Sequence, residues 1–359
     1  MNRVLFVTNG HGEAAIAARI AAEVRRLGPI QTEHFALVGE GFVDTGFPDV
    51  GPQRAMPSGG LVAMGNLRAF GRDLATGWAR LFVDQLRFLR AARAAYGVVV
   101  AVGDTYGCAL SRRVGRPLVF VGTAKSVYVA PYGAIERRII RAARRIFVRD
   151  AATAADLRAH GVPAEAPGNV IVDLLASDDL FPWSGPVRIA LLPGSRERAY
   201  EDGERLAEVA AAVARRVPGV IAALSIAPNL DPERFAPVLE RLPGIVPWRG
   251  PVGGLLHGAT LAIGQAGTAN EAAAAQGLPV VAFDLAGNRR NGWYRMRQER
   301  LLGDAMIVVP GDAAAATEAI VALLNDPARL DRMRAAGPAR MGAPGGAATI
   351  AGAIAALLT

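Results

Sequence analysis

The chain has 359 residues, of which 52% are hydrophobic and 20% charged, so it can build a large core and is not expected to be disordered. Its formal net charge is +8 and nearly all basic residues are arginine, which fits a generic basic surface, an anionic lipid surface or a phosphorylated substrate. A nucleic-acid partner is not expected, because no basic strand with interleaved aromatic residues is present.

The first apolar run ends at Gly10, so it is predicted to be a strand rather than a signal peptide. No apolar stretch approaches the ~20 residues that a membrane-spanning helix needs. The single cysteine, Cys108, excludes a disulfide framework and fits a reducing compartment.

Apolar runs typical of buried strands alternate with helical patterns along almost the whole chain. The predicted strands are 4–8, 33–38, 98–102, 118–121 and 146–149 in the first half, and 188–192, 220–226, 244–247, 260–264, 280–283 and 306–309 in the second. This alternation predicts an α/β fold of two Rossmann-like parallel-sheet domains facing a cleft.

A stretch rich in Pro, Gly, Ser and Asp separates the two halves and is predicted to be a linker. The predicted organisation is an N-terminal domain at 1–175, a linker at 176–186, a C-terminal domain at 187–344, and a helix at 345–359 that packs back on the body.

The loop Pro193-Gly194-Ser195-Arg196 follows a predicted strand and leads into a helix. Loops at this end of a parallel sheet bind ligands, and a helix start offers N–H groups to an anion. Gly194 lets the backbone approach a ligand, Ser195 offers a hydroxyl, and Arg196 can fork onto phosphate oxygens. Arg196 and Arg198 are predicted to lie in the first helical turn; an ordinary turn with a solvated arginine is the alternative.

A second glycine-containing turn, Gly264 to Thr268, also joins a predicted strand to a helix. Glu271, one turn into that helix, could accept hydrogen bonds from a ribose diol. It could instead cap its own helix in a box with Thr268, and the two roles compete for one carboxylate.

A set of four sequence stretches resembles lipid-A-disaccharide synthase and its relatives. The four stretches are Pro-Gly-Ser-Arg, Gly-Thr with Glu271, Gly-Leu-Pro-Val-Val, and Gly168-Asn-Val-Ile-Val-Asp173. These are glycosyltransferases of the two-domain type called GT-B. The resemblance implies that Ser195 and Arg196 contact the diphosphate of a UDP-sugar, that Gly267 and Thr268 help to hold it, and that Glu271 binds the ribose. Backbone near Arg249 would frame the base.

The resemblance also implies that the N-terminal domain carries the acceptor site and a catalytic base. Asp104 lies at the end of a predicted strand, where a carboxylate can take a proton from a sugar hydroxyl. Asp104 could instead be the N-cap of the next helix. The loop TNGHGEAA offers His11 and Glu13, and His11 is the other candidate base, a phosphate contact or a plain loop residue.

Residues 67–95 read as a long amphipathic helix. Its predicted membrane-contact residues are Phe70, Arg72, Leu74, Trp78, Arg80 and Phe82. The same pattern is typical of a helix packed on a sheet, but the basic charge and the resemblance favour contact with an anionic membrane. The predicted location is therefore cytoplasmic, on the inner face of the cytoplasmic membrane.

Residues 285–305 depart from the synthase pattern; Gln298 could contact a donor sugar, and the arginines there could face phosphate, lipid or solvent. Cofactors are not expected, and the absence of Asp-x-Asp or His/Cys clusters near these loops predicts metal-independent transfer. The resemblance implies inversion at the anomeric carbon.

The predicted function is transfer of a sugar from a UDP-sugar to a lipid-linked or amphiphilic acceptor. A UDP-N-acetylglucosamine 2-epimerase and a non-catalytic nucleotide-sugar-binding protein are the alternatives.

Overall fold

The computed structural model of the chain describes residues 1–37, 46–53, 78–195, 197–265, 267–283 and 289–358. Side chains are described within these ranges except at 11, 78, 79 and 289–295. The chain divides into two compact units: unit 1 comprises Met1–Leu174 and Ala343–Thr359, and unit 2 comprises Leu175–Gly342.

Unit 1 contains a six-stranded parallel sheet. Its strands are β1 (Arg3–Thr8), β2 (Gln31–Ala36), β3 (Val98–Gly103), β4 (Leu118–Gly122), β5 (Arg145–Val148) and β6 (Ala164–Glu165). The helices are α1 (His11–Arg26), α2 (Trp78–Ala91), α3 (Thr105–Ser111), α4 (Ala134–Ile140), α5 (Ala151–Ala159) and α6 (Val170–Asp173). The central strands are buried on both faces, which explains their uninterrupted apolar sequences.

Unit 2 contains a second six-stranded parallel sheet. Its strands are β7 (Val187–Leu192), β8 (Val220–Ser225), β9 (Ile245–Trp248), β10 (Leu261–Gly264), β11 (Val280–Phe283) and β12 (Met306–Val309). Its helices are α7 (Ala199–Ala214), α8 (Ala236–Arg241), α9 (Val252–Leu256), α10 (Gly267–Ala275), α11 (Arg289–Leu302), α12 (Ala313–Leu324) and α13 (Pro327–Met341).

The strand orders place one crevice in each sheet. The order in unit 1 is β2-β1-β3-β4-β5-β6, and in unit 2 it is β12-β11-β10-β7-β8-β9. In both sheets the chain moves outward from its first strand and then returns to that strand's other side. Crevices therefore open beyond the carboxyl ends of β1 and β3 and of β7 and β10, where ligands bind in folds of this kind. The α/β prediction with two Rossmann-like sheets is confirmed.

The C-terminal helix α14 (Gly346–Ala355) belongs to unit 1, where it packs against α1. Its start is held by the Asp173 carboxylate, which accepts hydrogen bonds from the N–H groups of Gly345 at 2.5 Å and Ala347 at 2.7 Å. Asn169, in the same segment, caps α6 and donates its own N–H to Ala343. The segment that carries part of the synthase resemblance thus anchors the end of the chain to unit 1.

The segment predicted to be a linker is part of unit 2 and packs closely against α9. A Cβ added to Gly254 would lie 1.8 Å from the Asp179 carbonyl oxygen, and one added to Gly253 would lie 2.2 Å from that of Leu175. Only glycine permits this approach of two backbones. Phe181 and Trp183 add aromatic contacts, with ring centroids 4.5 Å apart.

Helix α7 begins later than its sequence suggests. Its first residue is Ala199, so Arg198 occupies the N-cap position rather than the first turn. The first turn contains Glu201 and Asp202, the charges that the positive end of a helix dipole favours. The prediction that Arg198 lies in the first turn was therefore wrong, while Arg196 lies outside the described residues.

Candidate active site

Three polar side chains meet at the crevice of unit 1. Asn9 follows β1 directly and Asp104 follows β3, and the register pairs Thr8 with Val102. The Asn9 side-chain amide donates to Asp104 Oδ2 at 3.0 Å, and the Asn9 backbone N–H donates to Glu13 Oε2 at 2.8 Å. Asn9 therefore joins the two carboxylates that were predicted separately, although sequence reasoning did not single it out.

Asp104 is the N-cap of α3, since its Oδ1 accepts a hydrogen bond from the Gly107 N–H at 2.8 Å. Asp104 therefore caps the helix that follows it, as the alternative interpretation of its sequence position predicted. Capping uses one lone pair of one oxygen, and the residue is only half-buried. A carboxylate has about four acceptor sites, so Asp104 keeps the capacity to accept a proton.

Glu13 packs against the backbone of Gly103. A Cβ at Gly103 would lie 2.2 Å from the Glu13 carboxyl carbon, and the φ of +122° at Gly103 also favours glycine. Burial, and to a smaller extent the nearby Asp104 carboxylate, raise the pKa of Glu13 to about 8. Glu13 therefore favours its protonated form near neutral pH.

Replacing Glu13 with glutamine is expected to change how stability depends on pH. Between pH 4.5 and 8 the folded protein keeps a proton that the unfolded chain releases, so the wild type loses stability as pH rises through this window. The glutamine variant lacks this titration and should gain about 1–3 kcal/mol relative to the wild type across the window. Chemical unfolding at a series of pH values measures the difference.

The exposed Glu240 provides the matched control for this experiment. A Glu240→Gln variant should follow the wild-type curve throughout the pH range. Parallel curves for the wild type and Glu13→Gln would show that Glu13 does not hold a proton in the folded state.

His11, the other candidate base, is the first residue of α1. Its side chain lies outside the described residues. His34 is fully buried and bonds to Thr8 Oγ1 at 2.8 Å and to Asp49. The choice between Asp104 and His11 as the base remains a prediction.

The first predicted phosphate loop of unit 2 follows β7 at the second crevice. Gly194 has a φ of +110°, a conformation that favours glycine, and Ser195 is exposed. The Ser195 carbonyl oxygen accepts a hydrogen bond at 2.8 Å from the side chain of Asn229, which follows β8. Arg196 lies outside the described residues.

The second predicted phosphate turn lies beside the first. Gly264 pairs with Leu192 in the sheet, and the Gln265 N–H donates to the Leu192 carbonyl at 3.0 Å. Gly267 is the first residue of α10, and Thr268, its second residue, is exposed. Glu271 is half-buried, and the choice between binding a ribose and capping its own helix remains a prediction.

A buried amide pair lies behind this turn. Asn270 is fully buried, and its Nδ2 donates to Gln298 Oε1 at 3.0 Å. Gln298, predicted to contact a donor sugar, is itself only 6% exposed. A Cβ at Gly264 would lie 1.8 Å from Asn270 Oδ1, an oxygen without a hydrogen-bond partner among the described residues. The pair ties α11 to the helix that carries Thr268 and Glu271.

Arg249, which follows β9, is exposed. The neighbouring Trp248 donates its indole N–H to the Pro251 carbonyl at 3.0 Å. Its ring lies edge-on to Phe181 with the centroids 5.6 Å apart. These two contacts hold the backbone next to Arg249, and its role beside a nucleotide base remains a prediction.

The membrane-contact prediction falls only partly within the described residues. Phe70, Arg72 and Leu74 lie outside them, as does the side chain of Trp78. In α2, Arg80 is exposed, while Phe82 packs against the core of unit 1. The described apolar side of this helix thus packs on the sheet, and membrane contact remains a prediction.

Neither a metal-binding cluster nor a membrane-spanning helix is found in the described ranges. No group of three His, Cys, Asp or Glu side chains in them is placed to hold a metal ion. No helix in them is long and apolar enough to cross a membrane.

Comparison with solved structures identifies the fold class. A putative UDP-N-acetylglucosamine 2-epimerase from Listeria monocytogenes matches with a TM-score of 0.62 and 13% identity, over 97% of this chain and 94% of that one. MurG from Acinetobacter baumannii matches with a TM-score of 0.59 and 14% identity, over 99% and 100% of the two chains. With its two six-stranded parallel sheets, the chain has the GT-B fold that these proteins share.

A further structural match is UDP-GlcNAc 2-epimerase from Neisseria meningitidis, solved with bound UDP-GlcNAc. Its TM-score is 0.59 at 14% identity, over 99% of each chain. The chain matches no protein-family model, and no curated protein is significantly similar to it in sequence. Membership of the lipid-A-disaccharide synthase family therefore remains a prediction.

Proposed function

We propose that the chain is a glycosyltransferase that moves a sugar from a UDP-sugar to a lipid-linked or amphiphilic acceptor. The observation that carries this proposal is the pair of adjacent glycine turns at the β7/β10 crevice. There Gly194 has a positive φ, and the Gln265 N–H is bonded to Leu192. Turns of this kind bring backbone N–H groups close to a diphosphate.

The donor is proposed to bind along these two turns. Ser195 and Arg196 contact the diphosphate, Gly267 and Thr268 support it from the second turn, and Glu271 binds the ribose. Negative charge grows on the diphosphate as it departs, so donors fixed in advance at this point stabilise the transition state. The solved neighbours from Neisseria meningitidis and Listeria monocytogenes, whose names include UDP-sugars, support this choice of ligand.

The acceptor hydroxyl is proposed to be activated at the β1/β3 crevice. Its oxygen forms a bond to the anomeric carbon while the bond to UDP breaks, and its proton passes to Asp104. Attack opposite to the departing UDP inverts the anomeric configuration. Glu13, which keeps its proton near neutral pH, is suited to donate a hydrogen bond to the acceptor rather than to take its proton. The proposed transfer reaction requires neither a metal ion nor a cofactor.

The acceptor is proposed to come from an anionic membrane, with the protein on the inner face of the cytoplasmic membrane. The basic net charge of +8 supports this partner, since anionic lipids attract arginine-rich surfaces.

An epimerase acting on a UDP-sugar is the second candidate. The specific observation in its favour is the pair of neighbouring carboxyl groups, Glu13 and Asp104, of which Glu13 holds a proton. Inversion at a sugar carbon bearing hydrogen requires a proton to be removed and returned, a task for such a pair.

Incubation with UDP-N-acetylglucosamine separates the two candidates. With a panel of detergent-solubilised glycolipids present, a transferase releases UDP in proportion to the glycosylated product, and without them it leaves the sugar unchanged. Release of UDP and product can be followed by chromatography, and the configuration at C2 by proton NMR. Appearance of the C2 epimer without acceptor would overturn the proposal in favour of the epimerase.

A further inference from the structure

The surface of unit 1 has a basic hollow beside α4. It has a volume of about 380 Å³ and is lined by Ala134, Arg137, Arg138, Arg141 and His160. The three arginines follow one side of α4 and the turn after it, at the i, i+3 and i+4 spacings that make helix residues neighbours.

These arginines have no carboxylate partner among the described residues. The nearby acidic groups do not pair with these arginines: Glu136 pairs with Lys125 at 2.6 Å, and Asp156 lies 3.6 Å from His160, which itself lines the hollow. The hollow thus concentrates three positive charges that repel one another, an arrangement that an anion would stabilise.

Two of the guanidinium groups are held in place. Arg137 donates to the Tyr132 carbonyl oxygen at 2.6 Å, and Arg141 donates to the His160 carbonyl oxygen at 3.0 Å. Each guanidinium has five N–H donors, so most of them stay available for a ligand. Fixed guanidinium groups recognise phosphate with two parallel hydrogen bonds and lose little freedom on binding.

An exposed apolar side chain lies next to the hollow. Ile135 is 78% exposed and precedes Arg138 by three positions, while Ile140 on the opposite side of the helix is buried in the core. An isolated isoleucine with arginines around it is suited to a bilayer surface, where the apolar group enters the headgroup region and the arginines bind phosphates.

From these observations we infer that Arg137, Arg138 and Arg141, with Ile135, form a binding site for the phosphate of an anionic lipid headgroup. The inference assigns the membrane contact to α4, apart from the helix at 67–95. It rests on the proposed membrane-associated acceptor, but it concerns binding and does not require sugar transfer. Ile135 favours a lipid over free phosphate as the source of the ligand.

Co-sedimentation of the full chain with vesicles tests the site. The wild type should bind vesicles that contain phosphatidylglycerol and should not bind pure phosphatidylcholine vesicles at low salt. Arg138→Gln should weaken binding roughly fivefold, since one basic residue near an anionic surface contributes about a factor of five. Arg138→Gln with Ile135→Ser should weaken it further. Both side chains are exposed, so thermal unfolding should match the wild type.

Arg332→Gln, which removes an exposed arginine from α13 of unit 2, is the matched control and should bind as the wild type does. Equal vesicle binding by Arg138→Gln and the wild type would overturn the inference, as would a lack of binding to either vesicle. Release from the vesicles by millimolar inorganic phosphate, at matched ionic strength, would assign the site to free phosphate instead. Failure of these tests leaves the UDP-sugar experiment unaffected, so the two proposals can fail separately.

Discussion

Replacing Asp104 with asparagine should lower the rate of sugar transfer at least ~100-fold, the usual contribution of a general base. Asparagine has the same shape and is also a good N-cap, so α3 should still form. It has only one acceptor oxygen, however, whereas Gly107 and Asn9 both donate to Asp104. We therefore expect a stability cost of about 1 kcal/mol besides the loss of activity.

Single-turnover measurements with saturating donor and acceptor isolate the chemical step in this variant. Asp312 is the matched control, because it caps α12 in the same way but lies in unit 2. Asp312→Asn should keep the wild-type rate. A nearly unchanged rate for Asp104→Asn would remove Asp104 as the base and leave His11 as the remaining candidate.

Replacing Arg196 with alanine should lower transfer from a UDP-sugar at least ~100-fold. The loop around it has little else that is positively charged and aimed at a diphosphate, because Arg198 lies 3.8 Å from Asp202 and Glu197 pairs with Arg234. A charged donor that stabilises a departing group contributes about this much. Steady-state kinetics with a UDP-sugar as the varied substrate measures the loss in kcat/KM.

Arg198→Ala is the control for this variant, since it removes the same charge two residues away. Its kcat/KM should fall only a few-fold. If both arginine variants lose activity equally, the effect comes from the general potential of the loop and not from contact between Arg196 and the diphosphate.

The sheets and crevices could be predicted from the sequence because their signals are local. A parallel strand covered on both faces is apolar almost throughout, and runs such as 98–102 and 188–192 show this pattern. The glycine turns that follow β7 and β10 could also be predicted from the sequence, because their residues are consecutive. Two-residue β6 was missed, because Ala164 and Glu165 carry no periodic signal and are placed by pairing with β5.

The contacts that organise the site could not be predicted, because they join residues far apart in the chain. Asn9 and Asp104 are separated by 95 positions, and nothing in the local pattern of either indicates the bond. Asn270 and Gln298 are 28 positions apart, and their sequence surroundings do not indicate that both are buried and bonded to each other. The raised pKa of Glu13 likewise depends on packing against Gly103.

The two turns at the β7/β10 crevice are proposed to hold the diphosphate of a nucleotide sugar. A crystal structure of the full chain with UDP tests this directly. The account predicts diphosphate oxygens at about 2.7–3.2 Å from backbone N–H groups of Ser195 and Gly267, with the ribose against Glu271. Uridine nucleotide bound at any other place on the chain, with both turns free of it, would contradict the account.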